Sequence, residues 1–170
     1  GGEFVVNEPT TFYFRTNPRV AVAGGGAFVI VWQHNPLSVL AQRYDAAGMP
    51  QGGNFVISPF EAAGPVAQFT PHGRFVVAWT QGVGAGGSGD GSGRGIQARW
   101  FAADGSPGAP AFRVNTSTLG DQDIAALGSD GAGRVVRGWV SEHEKGQSVN
   151  NVFAQRHGLL EARALAVDTA

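Results

Sequence analysis

The sequence predicts an all-β chain of three consecutive four-stranded antiparallel sheets, set like the blades of a propeller and preceded by one extra N-terminal outer strand. Three observations carry this prediction. The 170 residues include 27 Gly and 9 Pro but only 15% charged residues, well under the roughly 25% of an average domain, so turns and strands are favoured over solvated helices. Four short strand-like segments recur in a fixed order at a spacing on the order of 50 residues, which suits propeller blades and neither helical solenoids nor leucine-rich repeats. One segment of each repeat is apolar at consecutive positions, so both of its faces must be covered.

The segments are lettered A to D along the repeat. D comes first as Phe4-Val5-Val6-Asn7 and returns as Phe55-Val56-Ile57-Ser58, Phe112-Arg113-Val114-Asn115 and, in weaker form, Leu165-Ala166-Val167-Asp168. A reads Pro18-Arg19-Val20-Ala21-Val22, Pro65-Val66-Ala67-Gln68-Phe69 and Asp123-Ile124-Ala125-Ala126-Leu127. A Gly-containing turn joins each A to its B, as a hairpin requires. B ends in Trp each time: Phe28-Val29-Ile30-Val31-Trp32, Phe75-Val76-Val77-Ala78-Trp79 and Val135-Val136-Arg137-Gly138-Trp139. C runs over Val39–Tyr44, Ile96–Phe101 and Val152–His157 with Ala at its third place. Asp and Gly in the C–D turns at 45–48 and 103–106 supply the positive-φ positions a tight connection needs. Residues 1–170 thus read as one propeller segment, with strand D at 4–7, blade one at 18–58, blade two at 65–115 and blade three at 123–168.

The B segments also predict how the sheets stack. Val31, Ala78 and Gly138 share one repeat position, small enough for the next sheet to approach closely. A closed ring takes about four to eight blades, so three cannot close alone. Either further blades of a longer chain complete the ring, or two copies form a six-bladed, two-fold ring. In the second case Phe4–Asn7 of one copy finishes the last blade of the other, if Leu165–Asp168 is not a strand. A start at Gly1-Gly2-Glu3 reads as a processed product or a piece of something longer.

Phe112-Arg113-Val114-Asn115-Thr116, Phe75-Val76-Val77-Ala78-Trp79, Asp90-Gly91-Ser92-Gly93-Arg94-Gly95-Ile96 and Ala41-Gln42-Arg43-Tyr44-Asp45 together make a pattern. It resembles the repeats of large secreted bacterial surface proteins, which are similar to integrin-type and related propeller repeats. The resemblance implies a bacterial, secreted or cell-surface location. Blade one departs from it with His34-Asn35-Pro36-Leu37-Ser38 in the B–C loop, and blade three with Arg137 inside B and His157-Gly158 where an aromatic and Asp would stand.

Composition narrows function by exclusion. With 12 basic and 13 acidic residues the formal charge is -1, which leaves no basic footprint for nucleic acid or an anionic membrane. The longest apolar run, Val20–Trp32, is broken by Gly24-Gly25-Gly26 and is too short to span a membrane. The chain has no Cys, so disulfides, Cys-held metals and thiol nucleophiles are excluded. Gly82 to Gly87 matches a dinucleotide G-x-G-x-x-G, yet no helix follows to face a phosphate, and the match is discarded.

Asp90, amid Gly and Ser, is the single candidate metal ligand. Calcium would take about six to eight oxygens, and a metal-free loop is the favoured reading, so no cofactor is expected. Asp121-Gln122-Asp123 reads as turn capping, and the four His fall in different repeats without metal spacing. Trp32, Trp79 and Trp139 could stack on sugars, but their place on an inner strand favours core packing. Tyr44, Trp100 and Tyr13 are the aromatics expected at a ligand-binding rim. No catalytic residue is assigned, since no nucleophile, base and orienter can be named together. The expectation is a noncatalytic binding or adhesion module, engaging a glycan or protein and self-associating or joined to further blades. The alternatives are a structural spacer of a surface protein and a hydrolase or lyase with a channel site.

Overall fold

Val, Ile, Phe and Trp are gathered into seven- or eight-residue segments separated by Gly-centred turns, a pattern that hairpins satisfy and helices do not. The computed structural model describes residues 2–8, 14–34, 38–59, 61–82, 89–142 and 150–157. It is all-β. The strands are β1 (Arg15–Val22), β2 (Phe28–His34), β3 (Ser38–Tyr44), β4 (Phe55–Ser58), β5 (Ala62–Phe69), β6 (Phe75–Gln81), β7 (Gly95–Phe101), β8 (Phe112–Arg113), β9 (Gln122–Ser129), β10 (Val135–Ser141) and β11 (Asn151–His157). They form antiparallel sheets in the orders β1-β2-β3-β4, β5-β6-β7-β8 and β9-β10-β11. A fourth strand for the third sheet was expected at Leu165–Asp168, which lies outside the described residues.

One turn is used five times. In the A–B hairpins the first N–H of a five-residue turn donates to the last carbonyl: Ala23 to Ala27 at 2.7 Å, Thr70 to Arg74 at 2.8 Å, Asp130 to Arg134 at 3.1 Å. The C–D turns close in the same way, Asp45 to Met49 at 3.0 Å and Ala102 to Ser106 at 2.9 Å. Gly holds the fourth place throughout, with φ of 88°, 77°, 78°, 80° and 84° at Gly26, Gly73, Gly133, Gly48 and Gly105. A side chain there would be strained by roughly 1–2 kcal/mol, which is why the repeat keeps Gly at this position.

The sheets stack face to face, as successive propeller blades do. Phe75, Val77, Trp79 and Phe101 on one face of the middle sheet meet Val29, Val31, Val39 and Ala41 of the first. Val76, Ala78, Ile96 and Ala98 on its other face meet Val135 and Trp139 of the third. Six consecutive residues of β6 are therefore buried, and fully burying Phe75 or Val77 stabilises by roughly 1.5–3 kcal/mol each. Each junction sets the flat, small-residue face of one blade against the aromatic face of the next. Ser129 and Gln68 add a polar seam between β5 and β9: Gln68 Nε2 donates to Ser129 Oγ at 3.0 Å, and that hydroxyl donates to Phe69 O at 2.7 Å. Arg137 of β10 is fully buried at the second junction, its guanidinium 5.1 Å from the Phe112 ring centre.

The N-terminal segment departs from expectation. Phe4–Asn7 is not a strand, because a D segment needs a C strand beside it and, among the described residues, none stands there. It folds over the edge of blade one instead. Asn54 Nδ2 donates to Val6 O at 3.2 Å, while the Glu8 N–H donates to Asn54 Oδ1 at 2.8 Å and the Asn54 N–H to Glu8 Oε1 at 3.2 Å.

Candidate binding surface at the loop end of the stack

An up-and-down sheet places its A–B and C–D turns at one end and its B–C and D–A connections at the other, so each blade has a turn end and a loop end. At the turn end the aspartates serve their own turns. Asp45 Oδ1 accepts from the Ala47 and Met49 N–H groups, both at 2.9 Å, and Asp130 Oδ1 from Ala132 and Arg134, also at 2.9 Å. Hydrogen bonds from the Arg134 backbone and side chain hold the Asp130 carboxyl below the usual range, and those from Ser106 do the same for Asp104. Arg43 of blade one clamps the C–D turn of blade two, its guanidinium donating to the Asp104 carbonyl and, at 2.7 Å, to the Ala103 carbonyl.

The loop end is built differently. Asn115, at the end of the second D segment, is buried, and its Oδ1 accepts the Ile96 N–H at 2.8 Å. Its Nδ2 lies 2.7 Å from Asp90 Oδ2, 2.7 Å from Ser117 O and 2.8 Å from Gln122 Oε1, so two hydrogens are shared among three acceptors. Gln122, fully buried, donates in turn to Leu119 O at 3.0 Å and Gly120 O at 3.1 Å. Arg94 Nη2 sits between Asp121 Oδ2 at 3.1 Å and Asp123 Oδ2 at 2.9 Å, and the Gln122 N–H donates to Arg94 O at 2.9 Å. The B–C connection of blade two is thereby fastened at Arg94 to the start of blade three and at Asp90 to Asn115. Glu61, just before β5, takes a φ of 53°, a left-handed conformation uncommon for Glu. Its carbonyl accepts the Gly82 N–H at 2.8 Å, as the Asp121 carbonyl accepts that of Glu142 at 2.8 Å. At the same end of blade one, burial and then the nearby Arg15 charge push the His34 imidazole below its ordinary pKa.

The residues singled out from sequence do not gather in one place. Asp90 is at the loop end, bound to Asn115 and, through Oδ1, to the Ser92 N–H at 3.3 Å. Trp100 and Tyr44 are at the turn end. Trp100 is half-buried with the Arg74 guanidinium 5.2 Å from its ring centre. Tyr44 is buried, stacked on Phe28 at 4.7 Å and met by Phe4 at 5.4 Å, and burial raises its hydroxyl pKa. Tyr13 lies outside the described residues. Trp32, Trp79 and Trp139 are buried, and Trp79 Nε1 donates to Gln81 Oε1 at 2.8 Å. Among the described residues no three His, Cys, Asp or Glu side chains are grouped to hold a metal. A cleft of ≈ 490 Å³ lies under the N-terminal segment, but its polar groups, Glu8, Gln42 and Asn54, are bonded to one another. The sequence reading placed Asn115 and Arg94 in repeat motifs and Gln122 in a capping turn, but not their meeting at this end, for which the signal was the Asn closing the F-x-V-N motif.

No family model matches this sequence, and no curated protein does. Among solved structures the chain is similar to the GH43 endo-arabinanase from Bacillus licheniformis, at 10% identity over 82% of this chain and 52% of that one, with a TM-score of 0.46. The chain spans about half the length of that enzyme, and a likeness of this degree carries no argument about activity. The blade architecture stands on the repeated sheets themselves.

Proposed function

We propose that the chain is a noncatalytic binding module of a secreted or cell-surface protein, which holds a glycan or protein ligand against the loop end of its stacked blades. The observation that supports this reading is the difference between the two ends. At the turn end one short turn is repeated five times, closed by its own backbone and aspartates, with Arg43 of the neighbouring blade on the Ala103 and Asp104 carbonyls. At the loop end the connections differ from blade to blade, His34–Ser38 in one and Gln81–Gly95 in the next. The second is held at Asp90 by Asn115 and at Arg94 by Asp121 and Asp123. Variable loops on a rigid, repeated scaffold are where recognition concentrates.

A glycan array and a panel of immobilised surface proteins test this with four variants. Asp123→Ala and Glu142→Ala alter the loop end, whereas Trp100→Ala and His72→Ala alter the turn end. The loop-end changes are expected to weaken binding about tenfold or more, equivalent to about 1.4 kcal/mol, with the turn-end variants within about twofold. The opposite pattern would refute the placement. Turnover of a bound glycan would favour the hydrolase alternative, and binding to neither class would favour the spacer.

A further inference from the structure

We infer that blade one carries a peptide-binding site at its turn end, which Phe4–Glu8 of the same chain fills. The partner it fits is an extended acidic segment of another protein, with an aromatic residue four positions before a Glu. The site stands where blade one departs from the repeat. Blades one and two enter their D strands on the same backbone frame: Tyr44 bridges Pro50 as Phe101 bridges Pro107, and the Gln51 N–H donates to Arg43 O at 2.8 Å as the Gly108 N–H does to Trp100 O at 2.9 Å. On that frame blade one sets Gly52-Gly53-Asn54 where blade two has Ala109-Pro110-Ala111. Pro110 has a ring in the place of Gly53 and Ala111 has no polar side chain, so only blade one can hold a peptide here.

Asn54 reads main chain. Its Nδ2 donates to Val6 O at 3.2 Å and its Oδ1 accepts the Glu8 N–H at 2.8 Å, so one planar amide pairs with the two peptide groups flanking Asn7, as a neighbouring strand would. Gln42, buried, fixes that amide: its Oε1 accepts the other Nδ2 hydrogen at 2.7 Å, and its Nε2 donates to Gly52 O at 2.9 Å. The carboxylate is read by backbone. The Asn54 N–H donates to Glu8 Oε1 at 3.2 Å, and a Cβ on Gly53 would stand 2.9 Å from that oxygen, so the seat exists because residue 53 is Gly. Arg15 Nη2, 3.4 Å from Glu8 O, sets a positive charge beside this acidic end. At the other end Phe4 meets the Tyr44 ring at 5.4 Å. Main-chain pairing, one aromatic anchor and one carboxylate together define the ligand class.

The chain's own segment fits this site loosely. Phe4 is 58% and Val5 81% exposed, the two Glu8 bonds to Asn54 lie in solvent, and a cleft of ≈ 490 Å³ stays open between the segment and blade one. A partner with bulkier side chains between its aromatic residue and its Glu fills that cleft and gains burial that Phe4–Glu8 lacks. A second copy of the chain offers the same residues without the tether. Tethering gives a segment an effective concentration on the order of millimolar, so a second copy has no advantage over the segment already seated.

The test is fluorescence anisotropy with a labelled, C-terminally amidated peptide copying residues 2–8. A Phe4→Ala, Glu8→Ala variant loosens the chain's own segment and is expected to bind the peptide about tenfold tighter than the parent chain, because blocking a site lowers its apparent affinity by the fraction blocked. Adding Asn54→Ala to that variant should weaken binding about tenfold or more, equivalent to about 1.4 kcal/mol. Adding Gly53→Ala, at an exposed position, should weaken binding of this peptide and leave unchanged that of a peptide with Ala in place of its last Glu. Far-ultraviolet spectra check the fold of each variant. A Phe4→Ala, Glu8→Ala variant that binds no tighter than the parent would overturn the proposal, as would equal binding of a scrambled peptide or indifference to both Asn54→Ala and Gly53→Ala. Self-association of the parent chain in sedimentation, lost on Asn54→Ala, would seat a second copy in the site and overturn the choice of partner.

Discussion

Asn115→Ala probes how firmly the second and third blades are joined at their loop end. The side chain leaves behind two fully buried groups, the N–H of Ile96 and Oε1 of Gln122, which it contacts at 2.8 Å each. An orphaned buried polar group costs about 1–3 kcal/mol, so the pair sums to about 2–6 kcal/mol. Asp90, half-buried on the same amide, can rehydrate, and water entering from its side draws the total toward the lower half, about 3 kcal/mol. For a chain of this length about 2–4 °C of melting temperature accompanies each kcal/mol, which predicts a fall of about 6–12 °C. Urea titration of the purified variant measures the free energy, and Thr116→Ala, at an exposed neighbouring position, serves as control. Asn115→Asp separates a lost donor from a lost packing contact. It keeps the acceptor for Ile96 but sets a second carboxylate against Asp90 Oδ2. A loss under about 1 kcal/mol for Asn115→Ala would refute the reasoning, because the buried groups would then have found other partners.

Gly105→Ala combines a φ of 84° with a Cβ only 2.7 Å from Arg43 Cδ, so a loss of about 1–2 kcal/mol is expected by thermal melting. Gly128→Ala, with nothing within 4 Å of its Cβ, should be neutral or gain up to about 1 kcal/mol. His34 has a folded pKa lowered from 6.5, so the unfolded chain takes up its proton first as pH falls. Stability should begin to drop below pH 6.5 and level off once the folded pKa is passed, and an NMR titration of the imidazole should find its midpoint under 6.5. Asp130, whose carboxyl is lowered from 3.8, contributes above that value and loses its contribution as pH falls through the folded pKa. The difference between Asp130→Asn and the parent chain in urea should therefore vanish in strong acid, and a constant difference would show that the carboxylate charge is irrelevant to the turn.

The strands and their turns were legible in the sequence because their causes are local. Runs such as Phe75–Trp79 are apolar on both faces, and Gly at the fourth place of each turn fixes where the chain reverses. Even the stacking was foreshadowed, since a strand buried on both sides requires a sheet on each. What tertiary structure alone decided is which polar groups meet across long separations. Asp90 read as a lone loop carboxylate, and its amide partner Asn115 is 25 residues away. Asp121-Gln122-Asp123 read as turn capping, yet Gln122 is buried and the flanking carboxylates hold Arg94. Tyr44 read as a rim aromatic, and the ring of Phe28 across the hairpin occupies its face. Phe4–Asn7 carries the same local pattern as Phe55–Ser58 and is nevertheless not a strand. An outer strand exists only when a neighbouring edge completes its hydrogen bonds, and the presence of that edge is a property of the assembled sheets and not of the four residues themselves.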